Sequence, residues 1–296
     1  MVVCFYKAAI TVAYCRCTTW AKALAGAGAA FVVYKSVIYL LAQKRRDSPY
    51  VKDYEPGLVY LFQFPRASVV PNISPFAIKL ETWLRIADIK YKNVENLPFS
   101  VRSREGVLPF VELDGIEYPD SNLAIRDLTS ILNKESLETH LTDEHKAMSR
   151  AFEVMVENSL LLGHLKFRLQ YGKELFSLYK PGLLDPVTKK IENSYIGQHS
   201  KEDISRISEQ DLLALSNYLG TQHYFTGFKA TKVDAAVFSN LTLILYLPFD
   251  TPQKRFIKEK CANLEEFCER VKARYWPDWE QVTTNYQMNT DWNSRV

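Results

Sequence analysis

The chain is short of cysteine, and over its first 46 residues it has no acid at all. Of five cysteines in 296 residues, Cys4, Cys15 and Cys17 crowd the first 17, so the rest of the chain owns only Cys261 and Cys268. Placed on one helix, those two would share a face about 10 Å apart along the axis, too far for a disulfide. This excludes a disulfide-stapled secreted scaffold and agrees with a reducing compartment. Paired Cys/His clusters are missing too. His140, His145, His164, His199 and His223 show no ligand spacing, so no metal site is expected. The missing acid also matters for charge. Residues 1 to 46 hold seven of the 37 Lys/Arg, which leaves 30 basic against 34 acidic side chains for the remainder of a chain whose net charge is +3. The folded part is therefore slightly acidic, and no nucleic-acid partner is expected.

What is present begins with a long apolar run. Ala23 to Ala42 (ALAGAGAAFVVYKSVIYLLA) is apolar except for Lys35 and Ser36, and about 20 residues at the helical rise cross a bilayer core. Lys35 lies roughly 10 Å from the Ala42 end, a distance that a snorkelling lysine partly covers. A single-pass membrane helix over 23 to 42 is the favoured expectation. A basic targeting peptide of mitochondrial type and an interfacial amphipathic helix stand as alternatives. Lys44, Arg45 and Arg46 on one flank balance Lys7, Arg16 and Lys22 on the other, so charge does not orient the span. The scarcity of cysteine places the folded part on the cytosolic side; the organelle stays open, with lysosomal and mitochondrial outer membranes as the candidates. Cys15 and Cys17 are candidates for palmitoylation beside the span.

A hydrophobic content of 47% suffices for two cores behind that segment. The expected division is 1–46, 57–133, 140–280 and a tail 281–296. After a polar linker from Asp47 to Pro56, Leu58 to Phe64 (LVYLFQF) reads as a buried strand. Ser74-Pro75 starts a helix with Phe76, Leu80, Trp83, Leu84 and Ala87 on its apolar side. Lys90 to Val94 is a second strand. Gly106 to Leu128 (GVLPFVELDGIEYPDSNLAIRDL) then says most about function. Phe110 to Leu113 leads into Asp114-Gly115, a two-residue hairpin signal, Ile116 to Tyr118 return, and a helix begins at Asp120-Ser121. Pro109 sits at a strand mouth, where a cis peptide would leave the Leu108 backbone free for a ligand.

Strand, helix, strand, crossover, hairpin and helix over 58 to 133 form a thioredoxin-like order. Beyond Asn133 strands vanish. Residues 143 to 178 read as a long helix or bent pair, followed by helices near 186 to 196 and 201 to 219. Thr231 and Asp234 form a capping box before the apolar run AAVFSNLTLILYL. The fold class expected is α/β plus all-α, a thioredoxin-like domain and a helical one behind an N-terminal membrane helix.

In a thioredoxin-like domain the amide and carbonyl of Leu108 pair with an extended peptide, while Ser121 aims the positive helix end at a carboxylate. Glutathione is a peptide of that shape. LPFVELDGIEYPDSNLAIRDL resembles the corresponding segment of the glutathione transferase superfamily. The resemblance implies that Leu108 and Pro109 bind the cysteinyl backbone of glutathione and that Ser121 binds its γ-glutamyl carboxylate. Asp120 stands where that family usually has Gln or Glu. Ser74, in Ser-Pro-Phe-Ala, matches the position where omega-type members carry Cys-Pro-Phe-Ala. A serine forms no mixed disulfide, but its hydroxyl and the helix end lower a bound thiol's pKa, so conjugation is favoured over thiol exchange. The alternative is that Ser74 is simply an N-cap. The turn Phe225-Thr226-Gly227-Phe228 before the capping box is similar to one in the helical domain of the same superfamily, where its role is structural.

Residues 63 to 85 (QFPRASVVPNISPFAIKLETWLR) and 261 to 279 (CANLEEFCERVKARYWPDW) resemble the failed-axon-connections family and the nematode cadmium-responsive proteins. These are glutathione-transferase-like, metaxin-related proteins. The resemblance implies a membrane-bound protein linked to neuronal development or to metal resistance. Two functions follow as expectations. One is a membrane-anchored glutathione transferase with glutathione as co-substrate, serving detoxification or cadmium and stress resistance. The other is a non-catalytic interaction protein with protein partners or a homodimer at an organelle membrane. Direct cadmium binding is disfavoured, because soft metals want thiolates and the folded part has two. Arg66 and Arg126 are further polar candidates, either carboxylate partners or solvated charges. The stretch Pro65 to Ile73 either fills the groove or carries Ser74 away from it. Trp276 and Trp279 are expected to pack against the first domain.

Overall fold

Two four-residue runs with every side chain buried, Val59–Phe62 (β1) and Phe110–Leu113 (β3), make the middle of a four-stranded sheet. Strands covered on both faces carry continuous apolar runs in place of alternation. Tyr91–Asn93 (β2) pairs parallel with β1, and Ile116–Pro119 (β4) returns antiparallel on β3, giving the order β2-β1-β3-β4. This computed structural model describes residues 49–97, 101–171, 191 and 193–293, all within one compact unit. The apolar stretch 23–42 and Cys4, Cys15 and Cys17 lie outside the described residues. Among the described residues no helix is long and apolar enough to cross a membrane.

Pro75–Ile86 (α1) packs Leu80, Trp83 and Leu84 on Val59, Leu61 and Val111. Ser121–Ile131 (α2) lies beside it through Ala124, Ile125 and Leu128. The opposite face of the sheet is covered by chain that precedes β1. The Tyr50 and Val51 amides donate to the Glu112 carboxylate at 2.8 and 3.0 Å. The Tyr50 ring meets Phe62 edge-on, and Phe62 stacks on Phe110 with centroids 4.2 Å apart.

The second half is helical: Asp143–Met155 (α3), Leu161–Arg168 (α4), Lys201–Leu219 (α5), Lys232–Leu245 (α6), Pro252–Lys260 (α7), Ala262–Tyr275 (α8) and Trp279–Thr283 (α9). Of the long helix or bent pair expected over 143 to 178, the described residues form two helices. A π-turn at Val156–Leu160 separates α3 from α4, which ends in the 3-10 turn Leu169–Tyr171; residues 172–178 lie outside the described ones. The helix expected near 186 to 196 falls largely outside them too. Cys261 also departs from expectation. With φ −133° it ends α7 and begins α8, so it shares no helix with Cys268, although both thiols are free and buried.

α6 is apolar on nearly every side because it is buried on every side, between α1 and the other helices. The Asp234 carboxylate fixes its start, accepting from the Thr231 and Phe225 amides at 2.8 Å each and thereby tying the preceding turn to the helix. Burial pushes this carboxyl up to about 6, against the pull of those amides.

Past α9 the chain returns to the sheet as a strap. The Asn289 side chain accepts from the Asn93 amide at 2.6 Å and donates to the Asn93 carbonyl at 3.0 Å, serving both backbone groups of edge strand β2. Trp292 stacks on Tyr91 with centroids 5.7 Å apart.

Candidate functional site

Strand register brings three separate segments to one end of the sheet. Phe62 is paired with Phe110, and Phe110 with Pro119. The next positions outward are therefore Gln63 on the end of β1, Leu108-Pro109 before β3, and Asp120-Ser121 after β4. The Leu108–Pro109 peptide is cis, and Pro109 is buried while Leu108 is half-buried.

Ser74 returns to the same end because Asn72 closes the loop in front of it. The Asn72 amide group donates to Gln63 Oε1 at 3.2 Å and to the Phe64 carbonyl at 2.8 Å, and its Oδ1 accepts from the Ser74 amide at 3.0 Å. Of the stretch Pro65 to Ile73, Ala67 and Val70 are buried in the core of the helical half. Ser74 occupies the N-cap of α1 with extended backbone, but its side chain makes no cap hydrogen bond. The half-buried hydroxyl is thus not engaged in the capping that the sequence allows it.

Asp120 and Ser121 divide their work differently. Asp120, at φ +61°, turns its carboxylate onto the helix and accepts from the Asn122 and Leu123 amides at 2.7 and 3.2 Å. Ser121 is 1% exposed, and its Oγ has no hydrogen-bond partner. A buried hydroxyl without a partner is costly, which is why such groups are rare and mark places where something else binds. Ser121 heads the positive end of a helix, so a carboxylate is the natural complement.

Two charge networks behind this edge were not legible from pattern. Lys79, 2% exposed, donates to Asn122 Oδ1 at 2.9 Å and forms an ion pair with Glu157 of the π-turn. Asn122 in turn donates to Glu157 Oε2 at 3.0 Å. The second network runs Arg66–Glu81–Arg85–Asp278. Arg66 forks onto Glu81 at 2.6 and 2.7 Å and also donates to the Gln287 and Met288 carbonyls, so it is a structural partner of the strap. Burial alone would push the Glu81 carboxyl up, but Arg66, then Arg85, hold it down at about 2. Arg85 stacks on Trp276 at 3.7 Å, and the Trp276 ring nitrogen donates to Thr82 at 3.0 Å, so this tryptophan does pack against the first domain. Arg126 is solvated, paired with Asp127 at 2.7 Å with its side chain 69% exposed. The available signal for the buried charges was Glu81 and Arg85 at helical i, i+4 spacing on a helix that is also apolar.

Family models match in two places: "Glutathione S-transferase N-terminal domain" over residues 75–173 and "Glutathione S-transferase, C-terminal domain" over residues 208–271. The chain is similar to Failed axon connections of Drosophila melanogaster, 33% identical over 80% of this chain, and it spans 62% of the length of that relative. It is similar to Metaxin-2 of Mus musculus, 24% identical over 69% of this chain and 82% of that one. Among solved structures it resembles a glutathione S-transferase from Methylobacterium radiotolerans in complex with glutathione sulfonate, at 17% identity and TM-score 0.50, covering 81% of this chain and 99% of that one. That likeness shows the fold. The thioredoxin-like sheet, the helical second half and these matches together make this a glutathione-transferase-like chain, related to Failed axon connections and to the metaxins.

Proposed function

We propose that this chain is a membrane-attached, glutathione-binding protein of the transferase type. The observation that carries the reading is Ser121, whose buried Oγ lacks a partner at the head of α2, beside the cis Leu108–Pro109 peptide. Those groups fit a peptide that ends in a carboxylate: the Leu108 backbone offers a donor and an acceptor to extended chain, and Ser121 offers a hydroxyl at a positive helix end. Bound glutathione would supply the thiol. Ser74, at the start of α1 with its hydroxyl free of capping, is the group to hold that thiol's deprotonated form. Membrane attachment rests on residues 23–42, and the basic flank Lys44 to Arg46 suits a headgroup layer. A calorimetric titration of the full-length chain in detergent tests the reading. Glutathione binds with millimolar affinity or better, and Ser121→Ala weakens it at least tenfold. Absence of heat at millimolar glutathione would overturn it.

One observation favours a second reading, a non-catalytic scaffold of the same fold. Asp120 Oδ1 is taken up by two helix amides, which holds the carboxylate against the head of α2 and leaves one oxygen for the acidic contact that a ligand's ammonium group would want. Under this reading Ser74→Ala and Ser121→Ala leave the cellular role intact, and partner capture depends on the surface alone.

A further inference from the structure

Between α2 and the pair α3 and α6 lies a cleft of about 340 Å³ that none of Ser74, Leu108, Pro109, Asp120 or Ser121 lines. Its walls bring four cations, Lys79, Arg126, Arg150 and Lys232, against two carboxyls, Glu138 and Glu153. Lys79 and Arg126 are already neutralised, by Glu157 and Asp127. Lys232 approaches Glu153 Oε1 only to 3.8 Å, beyond hydrogen-bond range, and Arg150 stands exposed at the rim.

Glu153 is the anomaly. It is 6% exposed, and its Oε1 has no hydrogen-bond donor. Ser149, one turn back on the same face of α3, is 2% exposed with its hydroxyl likewise unpartnered. A buried carboxyl oxygen without a hydrogen-bond partner, beside a lysine too distant to bond, is an arrangement in want of a further group.

We infer that this cleft is a binding site for a small oxyanion, a carboxylate or sulfate-type group, held between Glu153 and Lys232 with Arg150 closing the rim. Lys232 and Arg150 supply the charge. Glu153, once protonated, donates its O–H to the anion, so binding takes up one proton from solvent and no other bond changes. Burial favours the neutral Glu153 carboxyl. Lys232 on α6 and Lys79 on α1 oppose this, whereas Glu157 in the π-turn and Glu138 before α3 support it. An arriving anion cancels the field of the two lysines and completes the protonation.

The test uses sulfate and acetate as separate probes on the full-length chain in detergent, by calorimetry at pH 6 and pH 8 in buffers of differing ionisation enthalpy. Binding is at least tenfold tighter at pH 6, with uptake of close to one proton per anion. Sulfate alone, acetate alone or both binding in this way identifies which oxyanion geometry the cleft accepts. Lys232→Met weakens binding about tenfold, and Glu153→Gln binds with no dependence on pH. Lys232→Met also leaves the glutathione titration unchanged, so the two sites succeed or fail separately. No heat with either probe, or binding indifferent to both pH and Lys232→Met, overturns the inference. If Glu153→Gln does not fold, Lys232→Met and Arg150→Ala decide on affinity, and the proton count of the unmodified chain decides on Glu153.

Discussion

Arg85 and Asp278 are separated by 193 positions in the chain, yet Arg85 Nη2 donates to Asp278 Oδ2 at 2.9 Å, with both side chains almost wholly buried. The pair joins the first helix of the sheet domain to the N-cap of α9, three residues past α8. Asp278 also accepts from the Thr290 hydroxyl, so the strap depends on the same carboxylate. Removing one partner of such a pair leaves a buried charge uncompensated, which costs about 3–5 kcal/mol. Asp278→Ala is therefore expected to lower unfolding stability by that amount in a denaturant titration. The double variant Arg85→Met/Asp278→Leu should recover most of the loss.

Acid stability should be governed by Glu81. Its folded pKa, about 2, lies below the ordinary 4.5, so its contribution is present above about pH 4.5 and lost as pH falls toward 2. A shift of that size at a buried site corresponds to about 3 kcal/mol. Thermal melts between pH 5 and pH 2.5 should show Glu81→Gln destabilised at the upper end and converging with the parent at the lower.

Asp211 on α5 works in the opposite sense. Burial raises its carboxyl to about 6, opposed by a hydrogen bond from Ser159, so its contribution is full below the ordinary 3.8 and is lost as pH rises through 6. Asp211→Asn should then stabilise the protein at pH 7.5 by about 1 kcal/mol, discounted for its partial exposure, and have no benefit at pH 4. A denaturant series at the two pH values checks this. Equal effects at both would assign the change to packing.

Ser74 gives the chemical prediction. With glutathione and an activated aryl halide, Ser74→Ala should lower kcat at least tenfold while the glutathione Kd moves less than twofold, since the hydroxyl addresses the thiol and not the peptide backbone. Ser74→Cys should confer thiol–disulfide exchange on the chain. A kcat unchanged in Ser74→Ala, alongside intact binding, would remove Ser74 from the chemistry.

Much of this arrangement could be read from sequence because local signals coincide with it. Asp114-Gly115 fixes the β3–β4 hairpin, the Ser74-Pro75 pair starts α1, and strand register then carries Leu108-Pro109 to Ser121 without further information. What escaped is non-local. PFAIKLETWLRI carries only the i, i+4 spacing of Glu81 and Arg85 as a sign of buried charge, because the partners of Lys79, Glu81 and Arg85, namely Glu157, Arg66 and Asp278, come from other elements. The π-turn also hides in an unbroken helical periodicity, since one extra residue per turn leaves the apolar spacing almost unchanged.

The strap that ends on Asn289 has a bearing on assembly. A sheet of four strands offers two free margins, and each is occupied here by a side chain: Asn289 on the backbone of β2, and Arg104 donating to the Glu117 carbonyl of β4 at 3.0 Å. Each margin thus has part of its backbone covered, at Asn93 and at Glu117, which makes it a poorer template for another chain. Proteolytic clipping ahead of Gln287 would open the first of them, so the clipped form is expected to self-associate through strand pairing while the intact form does not.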